Sequence, residues 1–70
     1  MATETFNITA PQQTFSDANF NGATINSVTV NGTVRDASEY THSGNDITFD
    51  AASVNASTGN FASTVIVDYT

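Results

Sequence analysis

The 70-residue chain has no cysteine, lysine, leucine or tryptophan, and only one proline, one histidine and one arginine. Each absence removes a class of chemistry. Without cysteine there is no disulfide and no thiolate metal site. A lone histidine, His42, cannot build a His-rich zinc site, so no metal and no cofactor is expected. Arg35 is the only strong cation against seven carboxylates, which sets the net charge at −6. Nucleic acid is therefore a poor partner, because phosphate binding needs several Lys or Arg to release counterions. Anionic membranes are disfavoured for the same reason. No run approaches the length of an apolar membrane span. The first residues lack the basic region and continuous apolar core of a secretory signal, so synthesis in the cytoplasm is expected.

What remains is a surface of hydroxyls and amides. Ser, Thr and Asn supply 27 residues, a composition suited to exposed β-surface. A chain this short buries only about 60% of the surface it exposes when unfolded, which leaves a marginal core. Small folds usually add a staple, and with disulfides and metals excluded the expected staple is a neighbouring chain. That implies a homo-oligomer, a trimer or dimer, or strand pairing with a neighbour.

Helix signals are nearly absent, while strand signals recur about every ten residues. Residues 5–9 alternate, with Phe6 and Ile8 on one face, and Pro11 ends that run or confines it to an edge. Residues 14–20 are less regular and close on Asn21-Gly22. Residues 24–30 predict a strand with Val28 and Val30 on one face and Ile25 on the other. Asn31-Gly32 supplies a two-residue hairpin turn, pairing Val30 with Thr33 and Thr29 with Val34. Residues 36–38 read as a loop or bulge, and residues 43–46 as a second tight turn that returns Ile47 and Phe49 on a common face. Residues 51–60 predict the longest loop, or one helical turn at its start. In residues 63–70, Val65, Val67 and Tyr69 share a face and Ile66 sits on the other, so this strand is expected to be covered on both sides. The class is all-β: a small antiparallel β-sandwich or curled sheet of about six strands, with an N-terminal strand or arm. One domain spans residues 1–70, with residues 1–22 as arm or edge strands and 23–70 as the main module.

No catalytic constellation emerges, and no enzyme is expected. His42 and Ser43 are neighbours, so in a strand they point to opposite faces and cannot couple as base and nucleophile. Asp46 and Asp50, four residues apart on one strand, lie about 13 Å apart at ~3.3 Å per residue, too far for one calcium ion or a glycosidase pair. Asp36 and Asp46 read as turn formers bonding local backbone. The seven aromatics are needed for the core before any sugar platform. Arg35 pairs with Glu39 or Asp36, and is the one electrostatic contact available to an acidic partner. The lack of lysine leaves sheet edges unguarded, so the strand around Phe6 and Ile8 is a candidate for strand addition. Phe6, Ile8 and Arg35 are thus the candidate partner interface.

Residues 28–69 resemble a short β-module found repeatedly in tail fibres and other virion proteins of tailed bacteriophages. Val28, Val30, Asn31 and Gly32 match its hairpin; Glu39, Tyr40 and Thr41 match its acidic-Tyr-Thr step. Ser43, Gly44, Asn45, Ile47, Thr48 and Phe49 match its second turn and strand, Gly59 its glycine loop, and Val65, Val67 and Tyr69 its closing strand. The resemblance implies a non-enzymatic virion structural protein. Here the module is nearly the whole chain, which favours a capsid decoration (cement) protein. Its implied partner is the major capsid protein or another virion protein, and its implied place the virion surface, stabilising the assembled phage head. The alternatives are a tail, fibre or neck component that binds a receptor or glycan, and a cellular β-sandwich carbohydrate-binding or adhesion module.

Overall fold

The computed structural model describes residues 2–8, 12–50 and 63–70. Among them are seven strands: β1 (Ala2–Ile8), β2 (Thr14–Ser16), β3 (Ile25–Val30), β4 (Thr33–Val34), β5 (Tyr40–Ser43), β6 (Asp46–Phe49) and β7 (Ser63–Tyr69). They form two antiparallel sheets, β1-β7-β3-β4 and β2-β6-β5. The architecture is all-β. The expected loop at 51–60, the stop at Pro11, and Phe61 and Gly59 lie outside the described residues.

Strand β7 organises the larger sheet. It pairs along its whole length with β1, from Ala2 opposite Tyr69 to Ile8 opposite Ser63. Its other edge takes β3, with Val67 opposite Val28 and Val65 opposite Val30. Alternation then decides the faces. Val28, Val65 and Val67 are fully buried, Ile8 is nearly so, and Phe6 and Val30 pack against them. The smaller sheet contributes Phe15, Ile47 and Phe49 to the same core.

The aromatic rings bridge the two sheets edge to face. Phe6 of β1 meets Phe15 of β2 with centroids 5.4 Å apart, and Phe15 meets Phe49 of β6 at 6.0 Å. Phe20 closes one end, 5.6 Å from Tyr69 and 6.1 Å from Phe6. Such pairs add about 0.5–1.5 kcal/mol each beyond their area burial. In a chain without leucine they carry much of the packing.

Turn chemistry holds the register. Asn31 (φ 51°) and Gly32 (φ 84°) both adopt positive φ, and the hairpin pairs Val30 with Thr33 and Thr29 with Val34 as its sequence predicts. Gly44 carries the positive φ of the Ser43–Asp46 turn. Asn21-Gly22 also turns, after a single 3-10 turn over Ala18–Phe20 capped by Asp17, whose carboxylate accepts from the Asn19 N–H at 2.8 Å.

Three expectations are corrected. Ile25 does not face away from Val28. An extra residue at Asn26 breaks the β3–β7 register, so Ile25 sits opposite Tyr69 and rejoins the core side. Strand β7 is not covered on both sides by the described residues, since Ile66 stays 37% exposed. Residues 36–38 are neither open loop nor bulge: Ala37–Glu39 is a 3-10 turn closed by a capping box. The Asp36 carboxylate accepts from the Ser38 N–H at 3.0 Å, and the Glu39 carboxylate accepts from the Asp36 N–H at 3.0 Å.

The Ser38 backbone and hydroxyl bonds hold the Asp36 carboxyl below its ordinary pKa of 3.8, against a small opposing effect of desolvation. A depressed carboxyl stabilises the fold above its unfolded pKa, and that contribution fades as pH falls through the folded value. Titrating the wild-type domain below pH 3.8 while following the Ser38 amide by NMR will therefore show the turn opening. Asp36→Asn will shift that resonance already at neutral pH. Phe15→Ala will remove the ring joining both sheets and cost about 3–5 kcal/mol. A domain this small holds only roughly 3–5 kcal/mol in all, so urea melts followed by circular dichroism should find it largely unfolded in buffer. Gly32→Ala forces a Cβ into the positive-φ region and should lower stability by about 1 kcal/mol in the same assay.

Candidate functional site

The outer faces of the two sheets differ in kind. On the smaller sheet the outward positions are Thr14, Thr48 and Thr41 in one cross-strand row and Ser16, Asp46 and Ser43 in the next. All are exposed, and all are hydroxyls or a carboxylate. They bond to one another: Thr14 Oγ1 lies 3.3 Å from Thr48 Oγ1, and the Ser16 hydroxyl donates to Asp46. Asp46 is thus held across strands and not by its own turn, which corrects the expectation that it bonds local backbone.

The larger sheet presents a different outer face. Thr5 of β1 lies opposite Ile66 of β7, Ile66 opposite Thr29 of β3, and Thr29 opposite Val34 of β4. One row of four β-branched side chains therefore crosses all four strands, about 14 Å from end to end at ~4.8 Å between strands. Val34 (67% exposed) and Ile66 are the two exposed large hydrophobics of the described residues, and both lie in this row. The row beside it runs Thr3, Asp68, Ser27. Asp68 accepts one long bond from Asn26 Nδ2, at 3.3 Å. It meets no cation among the described residues.

The residues proposed from sequence as a partner interface are dispersed. Phe6 and Ile8 turn inward, and the fold uses them as core. The part of β1 left open is its outer face and the backbone edge away from β7. Arg35 sits just beyond Val34, and its guanidinium pairs with Glu39 at the cap of the 3-10 turn. The outer row is not legible in the sequence because it depends on strand order: Thr5, Thr29, Val34 and Ile66 become neighbours only with β7 between β1 and β3. The sequence signal for it was Ile66, an apolar residue out of phase in an alternating strand.

The titratable groups serve the frame. His42 lies opposite Ile47, and its Nε2 is 2.8 Å from the Phe20 carbonyl and 3.0 Å from that of Gly44. It ties the Ala18–Phe20 turn to the β5–β6 hairpin. Ser43, opposite Asp46, faces the other way. Burial, then the nearby Glu4 carboxylate, raises the Tyr69 phenol above its usual range, with a further push from Asp17 and a small opposing bond from Asn19. The Tyr69 hydroxyl donates to Glu4 at 3.3 Å. Tyr40 is raised by desolvation first and by Asp36 second.

Among the described residues there is no cysteine, the His42 Nε2 already meets two carbonyls, the Tyr69 hydroxyl is spent on Glu4, and the Tyr40 ring packs on Phe49 at 5.4 Å. No group of three or more His, Cys, Asp or Glu among them is placed to hold a metal ion.

No curated protein and no solved structure matches the chain. One protein family does: the Hb-interacting domain of the heme-binding protein Shr-like group, whose sequence model matches residues 2–68. This match overturns the resemblance to phage virion modules. With it fall the capsid decoration and tail-component readings, the capsid protein as partner and the virion surface as location. The physical reason is that the matched phage features are Asn-Gly and Ser-Gly turns between alternating strands, and any small antiparallel sandwich needs them. The match also takes in β1 and β2, which the resemblance over residues 28–69 left out. Spanning nearly all of the chain, it shows that this protein belongs to the Shr-like Hb-interacting domain family.

Proposed function

We propose that this domain is a non-enzymatic binding module whose partner is haemoglobin. The observation that carries this reading is the family match over residues 2–68, which covers both sheets from β1 into β7. The chemistry of the fold agrees with it. Among the described residues that could ligate haem iron, the His42 Nε2 and the Tyr69 hydroxyl are held by internal bonds, which favours contact with a protein over capture of the porphyrin. A cellular β-sandwich binding module was among the readings open from sequence, and this keeps that class with a protein in place of a sugar. Among the described residues, the aromatics that a sugar platform would need are in the core: Phe15, Phe20 and Phe49 are fully buried, and Phe6, Tyr40 and Tyr69 pack against them.

Isothermal titration of haemoglobin into the domain will give saturable binding, whereas free hemin will give no saturable change in its Soret band. A domain that takes up hemin but ignores haemoglobin would overturn the reading. His42→Ala will leave the hemin result unchanged but lower stability by about 1 kcal/mol, the worth of a hydrogen bond holding the Phe20 turn. A thermal melt reads the second effect.

A further inference from the structure

We propose that haemoglobin docks on the outer face of the β1-β7-β3-β4 sheet, centred on the row Thr5, Ile66, Thr29 and Val34, with a basic side chain of the globin reaching Asp68 at its rim. This rests on the reading above that haemoglobin is the partner, and adds where it binds and by what chemistry.

The first argument is asymmetry within the molecule. Both exposed large hydrophobics of the described residues fall in one row on one face. The opposite outer face offers hydroxyls and Asp46, with Thr14 bonded to Thr48 and Ser16 to Asp46. Water solvates that polar face well, so covering it gains little; covering Ile66 and Val34 removes apolar surface from water.

The second argument is shape. Globins are built of helices, and a helix with an apolar stripe packs well on a sheet face. The β-branched side chains of this row stand upright on adjacent strands, and their χ1 stiffness means that little rotamer freedom is lost on contact. Thr5 and Thr29 flank Ile66 in register, and each adds a methyl group as well as a hydroxyl to the row.

The third argument is charge. The chain carries −6 and no lysine. Asp68 is half-buried beside the row and holds one long bond, so most of its acceptor capacity remains. A lysine or arginine of the partner is its natural complement. A net charge of −6 favours the approach of a basic patch.

The experiment is titration calorimetry of haemoglobin with the intact domain and five single variants, each checked for fold by circular dichroism. Val34→Glu should weaken binding by about tenfold or more, and Ile66→Thr by several-fold. Val34 is largely exposed, so its loss of affinity would not reflect unfolding. Thr41→Gln and Thr48→Gln, on the opposite outer face, should bind like wild type. Asp68→Asn should weaken binding at low salt and flatten its dependence on ionic strength. Wild-type affinity in both Val34→Glu and Ile66→Thr would overturn the face while leaving haemoglobin as the partner. An unchanged salt dependence in Asp68→Asn would overturn the basic contact. Failure of the wild-type domain to bind haemoglobin would instead remove the reading on which the proposal rests.

Discussion

The pairing of the two ends of the chain is the constraint on which this fold depends. Strand β7 is the last strand, yet it lies between β1, the first, and β3. Val65 and Val67 therefore reach the core only when the chain has closed on itself. Thr24 and Thr70 extend the closure past the bulge, exchanging backbone bonds of 3.0 and 2.9 Å. The loop-closure entropy of such long-range pairing must be met before most of the buried valines contribute. The Asn31-Gly32 hairpin offsets part of that cost by fixing β4 on β3 locally.

The same closure decides what the molecule shows to its surroundings. With β7 central, residues from four strands are aligned across one sheet, and their parity follows from the inner face. Once Val65 and Val67 are buried, Ile66 has to point outward. An isoleucine there is unnecessary for the core, and threonine would serve the strand as well. The bulge at Asn26 has a comparable effect at the other end of β3. It lets Ile25 join Tyr69 inside while Ser27 and Thr29 stay in phase with the outer row.

Local rules were legible in the sequence because they are short-range. The hairpin register at Asn31-Gly32, the inward pair Ile47 and Phe49, and the opposed faces of His42 and Ser43 follow from period two and turn chemistry alone. What was not legible depends on distant partners. Ile25 was assigned the wrong face because a bulge is set by the register of β7, more than forty residues away, and not by the residues of β3. The capping box at Asp36 and Glu39 has a local signature, but with no helical run after it the stretch reads as a loop. The outer row was invisible for the reason that made Ile25 wrong: it exists only in the strand order.

The mistaken phage resemblance has the same root. Its matching residues were those that any compact antiparallel fold of this size must place at turns and on inner faces, so they reported architecture and not ancestry. Residues free of that duty are better informants. Val34 and Ile66 have no structural need to be apolar, and Asp68 meets no cation among the described residues. The frame uses its sole histidine, both tyrosines and its one arginine to hold turns and sheet ends together. Among the described residues, the surface that departs most from what folding requires is an apolar row with a carboxylate beside it. For a domain with a core this small, that division is economical: the inner faces of the sheets supply stability, and one outer face is left free of that duty.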